Sequence, residues 1–524
     1  MTAATLALTN PRKFVASAYQ RRFFDWIATG HGSAILKAVA GSGKSTSIVR
    51  ALEYIPETAT VLILAFNTPI AKEMREKIVK FGEEVGRTFR NVEASTFHSR
   101  GFRALARRWG KDAKVEVDDG KVRKILKDRL SEVEYELYGD FVNKLVGFAK
   151  GVGVGIPGLA RDEDATWRGI IETQDMWLDS EDATEDRAVD IARKALRASN
   201  AKAEAERWID FNDQLYLPLL WNIRLFPHHW VFVDEAQDTN PVRRLFARKC
   251  LRPDGRFVAV GDPRQAIYAF TGASSDAMDQ IADEFDTIEL PLTVSYRCPK
   301  AVGRLAQAIV PYFEVADGAI EGEVLDLPAK PKKGERGAFD GLGSRDMVLC
   351  RQTAPLVSLA FAFIAEGRGC FVLGKDIGAG LTGLIKKLRP KGVDGLLERL
   401  DAYFDKERAK FEVKEETAKI EALADRIACI KTVIDGCGER ATVPAVLAKI
   451  EELFADGTGN GLLTLSTMHK SKGREAPRVA IYKPELCPSK AAKSEEAYQQ
   501  EMNLLYVAET RAIETLIFAQ GEYR

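Results

Sequence analysis

The sequence has no excess of charge of either sign: Lys plus Arg total 76, Asp plus Glu total 76, and only five histidines are present. A strongly basic or acidic tail is therefore excluded, and any surface for a polyanion must be a local patch. Long apolar runs are also missing. No window approaches the roughly 18 apolar residues of a membrane span, and residues 1–30 lack an apolar core followed by a small-residue cleavage site. Neither secretion nor membrane insertion is expected, and a cytoplasmic location is. The seven cysteines are scattered without a short-spaced pair, which leaves nothing to start a zinc or iron-sulfur site and reads as free thiols in a reducing compartment. No repeat of fixed period and no long heptad run is present.

What is present is an ordinary folded balance, 46% hydrophobic and 29% charged, over 524 residues, enough for two to four domains. The first informative segment runs from Ser33 to Thr46 (SAILKAVAGSGKST). A short apolar run enters a glycine-bearing loop and a helical pattern resumes behind it, which is the context of a phosphate loop. Ala38 stands where the formal pattern has its first glycine. Through Ala40, Gly41, Ser42 and Gly43 the backbone N–H groups can curl around phosphate oxygens. Lys44 is positioned to reach the β and γ phosphates of ATP, Ser45 to ligate Mg²⁺, and Thr46 to follow in the first helical turn.

His229–Asn240 (HWVFVDEAQDTN) is an apolar strand delivering two carboxylates at its C-terminal end, where parallel sheets place ligands. Asp234 suits the metal and Glu235 suits the attacking water. Phe257–Ala273 gives another strand ending in a polar turn, with Gln265 placed to sense the terminal phosphate. Tyr268 and Phe270 either link that sensor to a polymer or pack in the core.

Between these strands the texture changes. Residues 107–205 read as charged helices broken by GVGVGIPG at 151–158, an inserted helical subdomain. The α/β rhythm resumes after about residue 290, with strands expected at 346–350, 369–374 and 461–466, and residues 381–459 again read as helical and charged. The basic stretch at 328–337 (PAKPKKGERG) reads as a solvated loop, although its four basic residues could touch a phosphate backbone. The expected organisation is α/β throughout: a first domain (1–106 and 206–290) with its helical insertion (107–205), and a second (291–380 and 460–524) with its own (381–459).

These ordered motifs resemble the superfamily 1 DNA helicases of the UvrD, Rep and PcrA type, and the compact layout with its YVAETRA ending is most similar to the F-box DNA helicase branch and its shorter bacterial and phage relatives. The resemblance implies tandem RecA-like P-loop motor domains, hydrolysis of ATP with Mg²⁺, and 3′ to 5′ movement on single-stranded DNA with opening of tailed duplexes. It implies that Gln20 reads the adenine edge, that Tyr296 stacks on adenine, that Glu475 binds the ribose, and that Arg297 and Arg511 approach the γ phosphate. Single-stranded DNA contacts are implied for Phe66 and Asn67, for Thr96 and His98, and for Thr467 and His469. On residue type alone, Phe66 could pack in the core, His98 could be structural, and Gln20 would be read as a surface glutamine.

Two departures stand out. Thr271 replaces the arginine that relatives commonly place after the aromatic of the GDPRQAIY segment, and the second insertion is shorter than in the larger relatives. Translocation without unwinding, or service as a motor subunit beside a protein partner, are the rival expectations. With 13 residues after Arg511, no nuclease domain is expected.

Overall fold

The computed structural model describes residues 14–110, 113–174, 176–178, 182–267, 276–413, 416–438, 441–455 and 461–523. Two compact units account for them. The first takes in residues up to Ala38, Gly43–Pro263 and the segment ending at Val294; the second takes in Val39–Ser42, Arg264–Ile267 and Ser295 onward.

The first unit is built on a six-stranded parallel sheet of β1 (Ser33–Ala38), β2 (Val61–Ala65), β3 (Val92–Thr96), β4 (His228–Asp234), β5 (Leu251–Gly261) and β6 (Thr287–Leu292), in the order β3-β2-β4-β5-β1-β6. β2, Val-Leu-Ile-Leu-Ala, is buried at every position, as an apolar run covered on both sheet faces must be. Pairing of Lys37 with Gly261 and of Asp234 with Val260 brings the ends of β1, β4 and β5 to one edge. That edge carries the site.

Helices start and stop where local chemistry dictates. Asn67 caps α3 (Thr68–Val85) by accepting the Ile70 amide, Pro69 occupies its first turn, and Gly86 at φ +68° ends it. Thr96 likewise caps α4 (Phe97–Trp109) through the Ser99 amide. The first insertion holds α5 (Lys121–Arg129), α6 (Glu132–Val152), α7 (Asp164–Thr173) and α8 (Glu185–Glu206). A Ser131/Glu134 capping box opens α6, and Gly153 of the glycine-rich break closes it. This insertion is not a separate body: Trp167, Val142, Leu145 and Ala192 share one core with Ile35, Leu62, Leu64 and Phe97 of the motor fold. Each such fully buried large side chain contributes about 1.5–3 kcal/mol.

A seven-stranded parallel sheet organises the second unit: β7 (Glu323–Pro328), β8 (Met347–Cys350), β9 (Cys370–Leu373), β10 (Phe454–Ala455), β11 (Leu463–Thr467), β12 (Ala476–Tyr482) and β13 (Ala512–Gln520), ordered β7-β13-β12-β8-β11-β9-β10. Helices spanning Val393–Val413, Thr417–Cys437 and Val443–Leu453 form the second insertion, and its Ile430, Val433, Val446 and Ile450 join the core of Val348, Val372 and Leu465. The expected boundaries at 290, 380 and 459 cut through or omit elements. β6 runs to Leu292, one helix bridges Lys375–Leu388, and β10, inside the expected insertion, pairs with β9. All seven cysteines are free thiols, as expected. No helix among the described residues is long and apolar enough to cross a membrane.

Candidate functional site

β1 ends at Ala38, and the chain turns through Val39-Ala-Gly-Ser-Gly before α2 (Lys44–Ala51) begins. Gly41 at φ +73° and Gly43 at φ +78° hold the left-handed backbone that turns successive N–H groups inward, and a side chain there would be strained. Gly41 has a second constraint: a Cβ would lie 2.6 Å from Arg297 Cβ and 2.7 Å from Ser295 Oγ. The Ser42 hydroxyl is buried with no hydrogen-bond partner. Ser45 and Thr46, in the first turn of α2, are half-buried. A free polar hydroxyl within a turn of inward N–H groups, followed by a helix N-terminus, fits a phosphate chain.

Across the same sheet edge β4 delivers Asp234 and Glu235. Glu235 itself sits at φ +52°, a left-handed conformation costing a non-glycine residue about 1 kcal/mol or more. Its carboxylate is held from two sides: Lys44 Nζ donates to Oε2 at 2.9 Å and Gln237 Nε2 donates to the same oxygen at 2.6 Å. Gln237 is fixed in turn by accepting the Asp262 amide at 3.1 Å, and a Cβ at Gly261 would collide with that amide oxygen at 2.5 Å. Burial opposes the Lys44 charge, yet Glu235, Asp262 and Asp234 together hold its ammonium above the ordinary value. Burial, followed by the adjacent Glu235 charge, pushes the Asp234 carboxyl up to about 7. Several carboxylates thus gather around one ammonium, surroundings in which Asp234 and Ser45 would hold Mg²⁺.

Gln20 corrects a reading made on residue type alone. It is 1% exposed. Its Oε1 accepts the Ser17 amide at 3.0 Å, capping α1 (Ala18–Thr29), and its Nε2 donates to Ser47 Oγ at 3.1 Å, which places it beside α2.

Within the second unit, the Ala40 amide donates to the Tyr506 hydroxyl at 2.8 Å and the Tyr296 amide donates to Gly41 O at 2.8 Å. Tyr296 leaves its ring 48% exposed. Arg297 Nε donates to Glu475 Oε2 at 2.6 Å, so the residues expected at the γ phosphate and the ribose pair with one another. Arg511 is 1% exposed and its guanidinium donates to Val507 O, Arg474 O and Thr510 Oγ1. Buried Gln265 accepts from Lys472 Nζ through its main-chain oxygen at 2.7 Å.

The residues expected to touch a polymer are positioned unevenly. Phe66 is half-buried beneath the Arg243 guanidinium, 4.3 Å from its ring centroid. Asn67 is exposed, whereas Thr96 is buried and spends its hydroxyl as a cap. His98 does not stand at the surface. Its ring lies under Phe211 (centroids 3.8 Å apart, 17° between planes), and burial, with Arg243 nearby, pulls its imidazole down to about 3, so it is neutral. The outer ring, Phe211, is 49% exposed. On β11, Thr467 accepts the Lys470 amide at 3.3 Å; burial and the neighbouring Arg351 charge pull His469 down to about 4. Tyr268, Phe270 and Thr271 lie outside the described residues.

Residues 24–286 match the model of the UvrD/REP helicase N-terminal domain. The chain belongs to the UvrD/REP helicase family. Residues 391–522 also match the UvrD-like helicase C-terminal domain, and the expected fold, two RecA-like α/β folds each with a helical insertion, is the one found. The chain is similar to ATP-dependent DNA helicase UvrD1 of Mycobacterium tuberculosis, 25% identical over 310 residues covering 53% of this chain and 37% of the relative. It is also similar to ATP-dependent DNA helicase Rep of Escherichia coli (23% over 300 residues; 53% and 41%) and to the probable DNA helicase II homolog of Mycoplasma pneumoniae (25% over 300 residues; 54% and 41%). The match thus spans about two-fifths of each relative's length.

In this UvrD/REP family chain, four residues that sequence reasoning passed over support the expected site residues, each within its own unit. Gln237 and Asp262 orient the acid that faces Lys44. Tyr506 holds the phosphate loop through Ala40, and Phe211 covers His98. A signal existed for Gln237, an amide two residues after the acidic pair, within reach of a strand-end carboxylate. Phe211 carried none, since an aromatic next to two aspartates reads as an ordinary loop.

Proposed function

We propose that this chain is an ATP-hydrolysing motor of superfamily 1 that moves 3′ to 5′ along single-stranded DNA and opens tailed duplexes, within the compact branch similar to the F-box DNA helicases. The observation that carries the reading is the Lys44–Glu235–Gln237 clamp at the end of a parallel sheet, in a chain of the UvrD/REP helicase family.

Glu235 is the residue proposed to orient the attacking water and accept its proton. In the ligand-free chain its Oε2 is shared by Lys44 and Gln237. Once Lys44 turns to phosphate oxygens, Gln237 remains to fix the carboxylate that orients the water. Asp234 and Ser45 would hold Mg²⁺, which supplies neutralisation of phosphate charge when bound. Gln20 and Tyr296 are assigned to adenine, Glu475 to ribose, and Arg297 and Arg511 to charge developing on the transferred phosphate. Both arginines already have protein acceptors, so the proposal requires each to exchange these for phosphate oxygens. Gln265 is assigned to sensing that phosphate. Phe66, Asn67, Thr96, His98, Thr467 and His469 are assigned to the DNA track, with His98 acting through its support of Phe211 rather than by direct contact.

The test is ATP-dependent separation of duplexes with either a 3′ or a 5′ single-stranded tail, with Glu235→Gln as control. Opening of the 3′-tailed duplex alone, at least about 100-fold reduced in the control, is expected. Opening of neither, with ATPase still stimulated by single strands, would favour translocation without unwinding or dependence on a protein partner; the short second insertion favours that second reading.

A further inference from the structure

A chain with no net charge must concentrate cations wherever it holds a polyanion. One concentration lies on α4, beyond the residues assigned above. Arg100, Arg103 and Arg107 recur at spacings of three and four, which puts them along one face of the helix. Glu93 is shared by Arg100 (2.6 Å) and Arg103. Arg107 makes no ion pair among the described residues. Burial first, then the neighbouring Arg100 and Arg103 charges, lower its pKa from the ordinary guanidinium value, with Glu93 opposing them.

The Arg107 guanidinium lies 4.1 Å from the ring centroid of Phe226, and Arg100 Nη2 donates to the Phe226 carbonyl at 3.2 Å, fixing the backbone beneath that ring. Phe226 nevertheless remains 57% exposed. A large apolar ring held in place, more than half open to water and covered by the Arg107 guanidinium, has the composition of a stacking platform rather than of a core. It is also joined to a larger feature. One helical turn back, Arg103 lines a cavity of about 640 Å³ in the first unit, together with Arg75, His98 and Phe211. Arg107 follows Arg103 one turn further along the same helix, α4.

We propose that Arg103, Arg107 and Phe226 form an additional contact site for single-stranded nucleic acid, Phe226 stacking on a base and the two guanidiniums holding adjacent phosphates. The inference rests on the DNA-motor reading and extends its track along α4. Stacking on an exposed ring is indifferent to sequence, as a motor requires, and arginine adds phosphate contacts without reading bases.

The test is fluorescence anisotropy on the full chain with labelled oligothymidylates of about 4 to 24 nucleotides at several salt concentrations, bracketing the site sizes of single-strand binders. Phe226→Leu, Arg107→Gln and Arg108→Gln are compared with the parent. Arg108 is the control, since it removes equal charge from the same turn but rests on Trp221 and Glu204. Phe226→Leu and Arg107→Gln are expected to weaken long strands roughly tenfold and to leave the shortest strands bound as by the parent. Arg107→Gln should also reduce the salt slope by about 0.7, one phosphate contact on a single strand. Parent-like binding at every length by both variants, or an equal loss in Arg108→Gln, overturns the inference while leaving the motor reading standing. A parent chain that binds no strand of any length overturns the DNA reading and this inference with it.

Discussion

Replacing Lys150 by methionine removes one ammonium from a buried quartet that ties the first insertion to the segment presenting Phe211. Lys150, on α6, donates to Asp210 Oδ2 and to Ser199 Oγ at 3.2 Å and forms an ion pair with Asp213 Oδ1 at 2.6 Å, while Lys121, on α5, donates to Asp213 Oδ2 at 2.7 Å. The side chains of Lys121 and Asp213 are 0% exposed and that of Lys150 is 1%, so water cannot replace a lost partner. Methionine fills the stem's volume and leaves two carboxylates facing one ammonium. Breaking a buried pair in this way costs about 3–5 kcal/mol, against less than about 1 kcal/mol for an exposed pair. Urea unfolding followed by far-UV circular dichroism should register a loss in the upper range, and a pH series supplies the sign. In the parent, burial would raise the Asp213 carboxyl, but Lys150 and Lys121 hold it below its ordinary 3.8. Its contribution is therefore fully present above 3.8 and is lost as pH falls through the lower folded value. In Lys150→Met the stranded carboxylate binds its proton more tightly folded than unfolded, so stability should rise as pH falls from 7 towards 5. A loss under 1 kcal/mol, or parallel pH slopes for parent and variant, would refute the reasoning.

Three further outcomes follow from the same geometry. Gln237→Ala leaves Glu235 without its second donor and the Asp262 amide without its acceptor; steady-state ATPase should show kcat down about tenfold, near 1.4 kcal/mol of barrier, with KM little changed, and an unaltered kcat would remove Gln237 from the mechanism. Gly41→Ala combines a left-handed φ of +73° with a Cβ 2.6 Å from Arg297 Cβ, so thermal unfolding should show roughly 1–3 kcal/mol of destabilisation and nucleotide binding should weaken; a variant as stable as the parent would show that the loop relaxes freely. Glu509 is 2% exposed, its Oε2 has no hydrogen-bond partner, and burial pushes it up to about 8 from 4.5. A carboxyl raised on folding costs stability increasingly as pH climbs from 4.5 to 8, so Glu509→Gln should be more stable than the parent by a few kcal/mol at pH 8 and by little near pH 4.5, and a pH-independent difference in chemical unfolding would contradict the assignment.

The elements that carry the candidate nucleotide site were legible in the sequence because they are contiguous. A strand, a glycine-bearing turn and a helix occupy Ser33–Ala51, and β4 hands over Asp234 and Glu235 as neighbours, so local pattern and chemistry coincide. Where the chemistry depends on distant pairing, residue type misleads. Gln20 reads as a solvated amide until α2, 27 residues on, brings Ser47 to it. Lys121 and Lys150 read as the charged faces of amphipathic helices, yet both point into the core, because Asp213 and Asp210, 92 and 60 residues away, return there with the chain. The two insertions read as separate helical bodies because their composition shifts at their edges. Composition does not report that Trp167 on one side, or Ile430 on the other, packs in the same core as a motor strand.

The same reasoning explains how a neutral chain can hold a polyanion. Balance of charge over 524 residues is compatible with local excess only if ion pairs elsewhere consume the anions. The first insertion does this visibly: Asp162 is shared by Arg193 and Arg197, Asp190 by Arg187 and Lys194, and Glu134 takes Arg187 as well. On α4 Glu93 likewise serves two arginines, but Arg107 has an exposed ring in place of a carboxylate. The cation without an ion pair among the described residues, Arg107, thus lies one turn beyond the cavity-lining Arg103, where the proposed phosphate contact would use it.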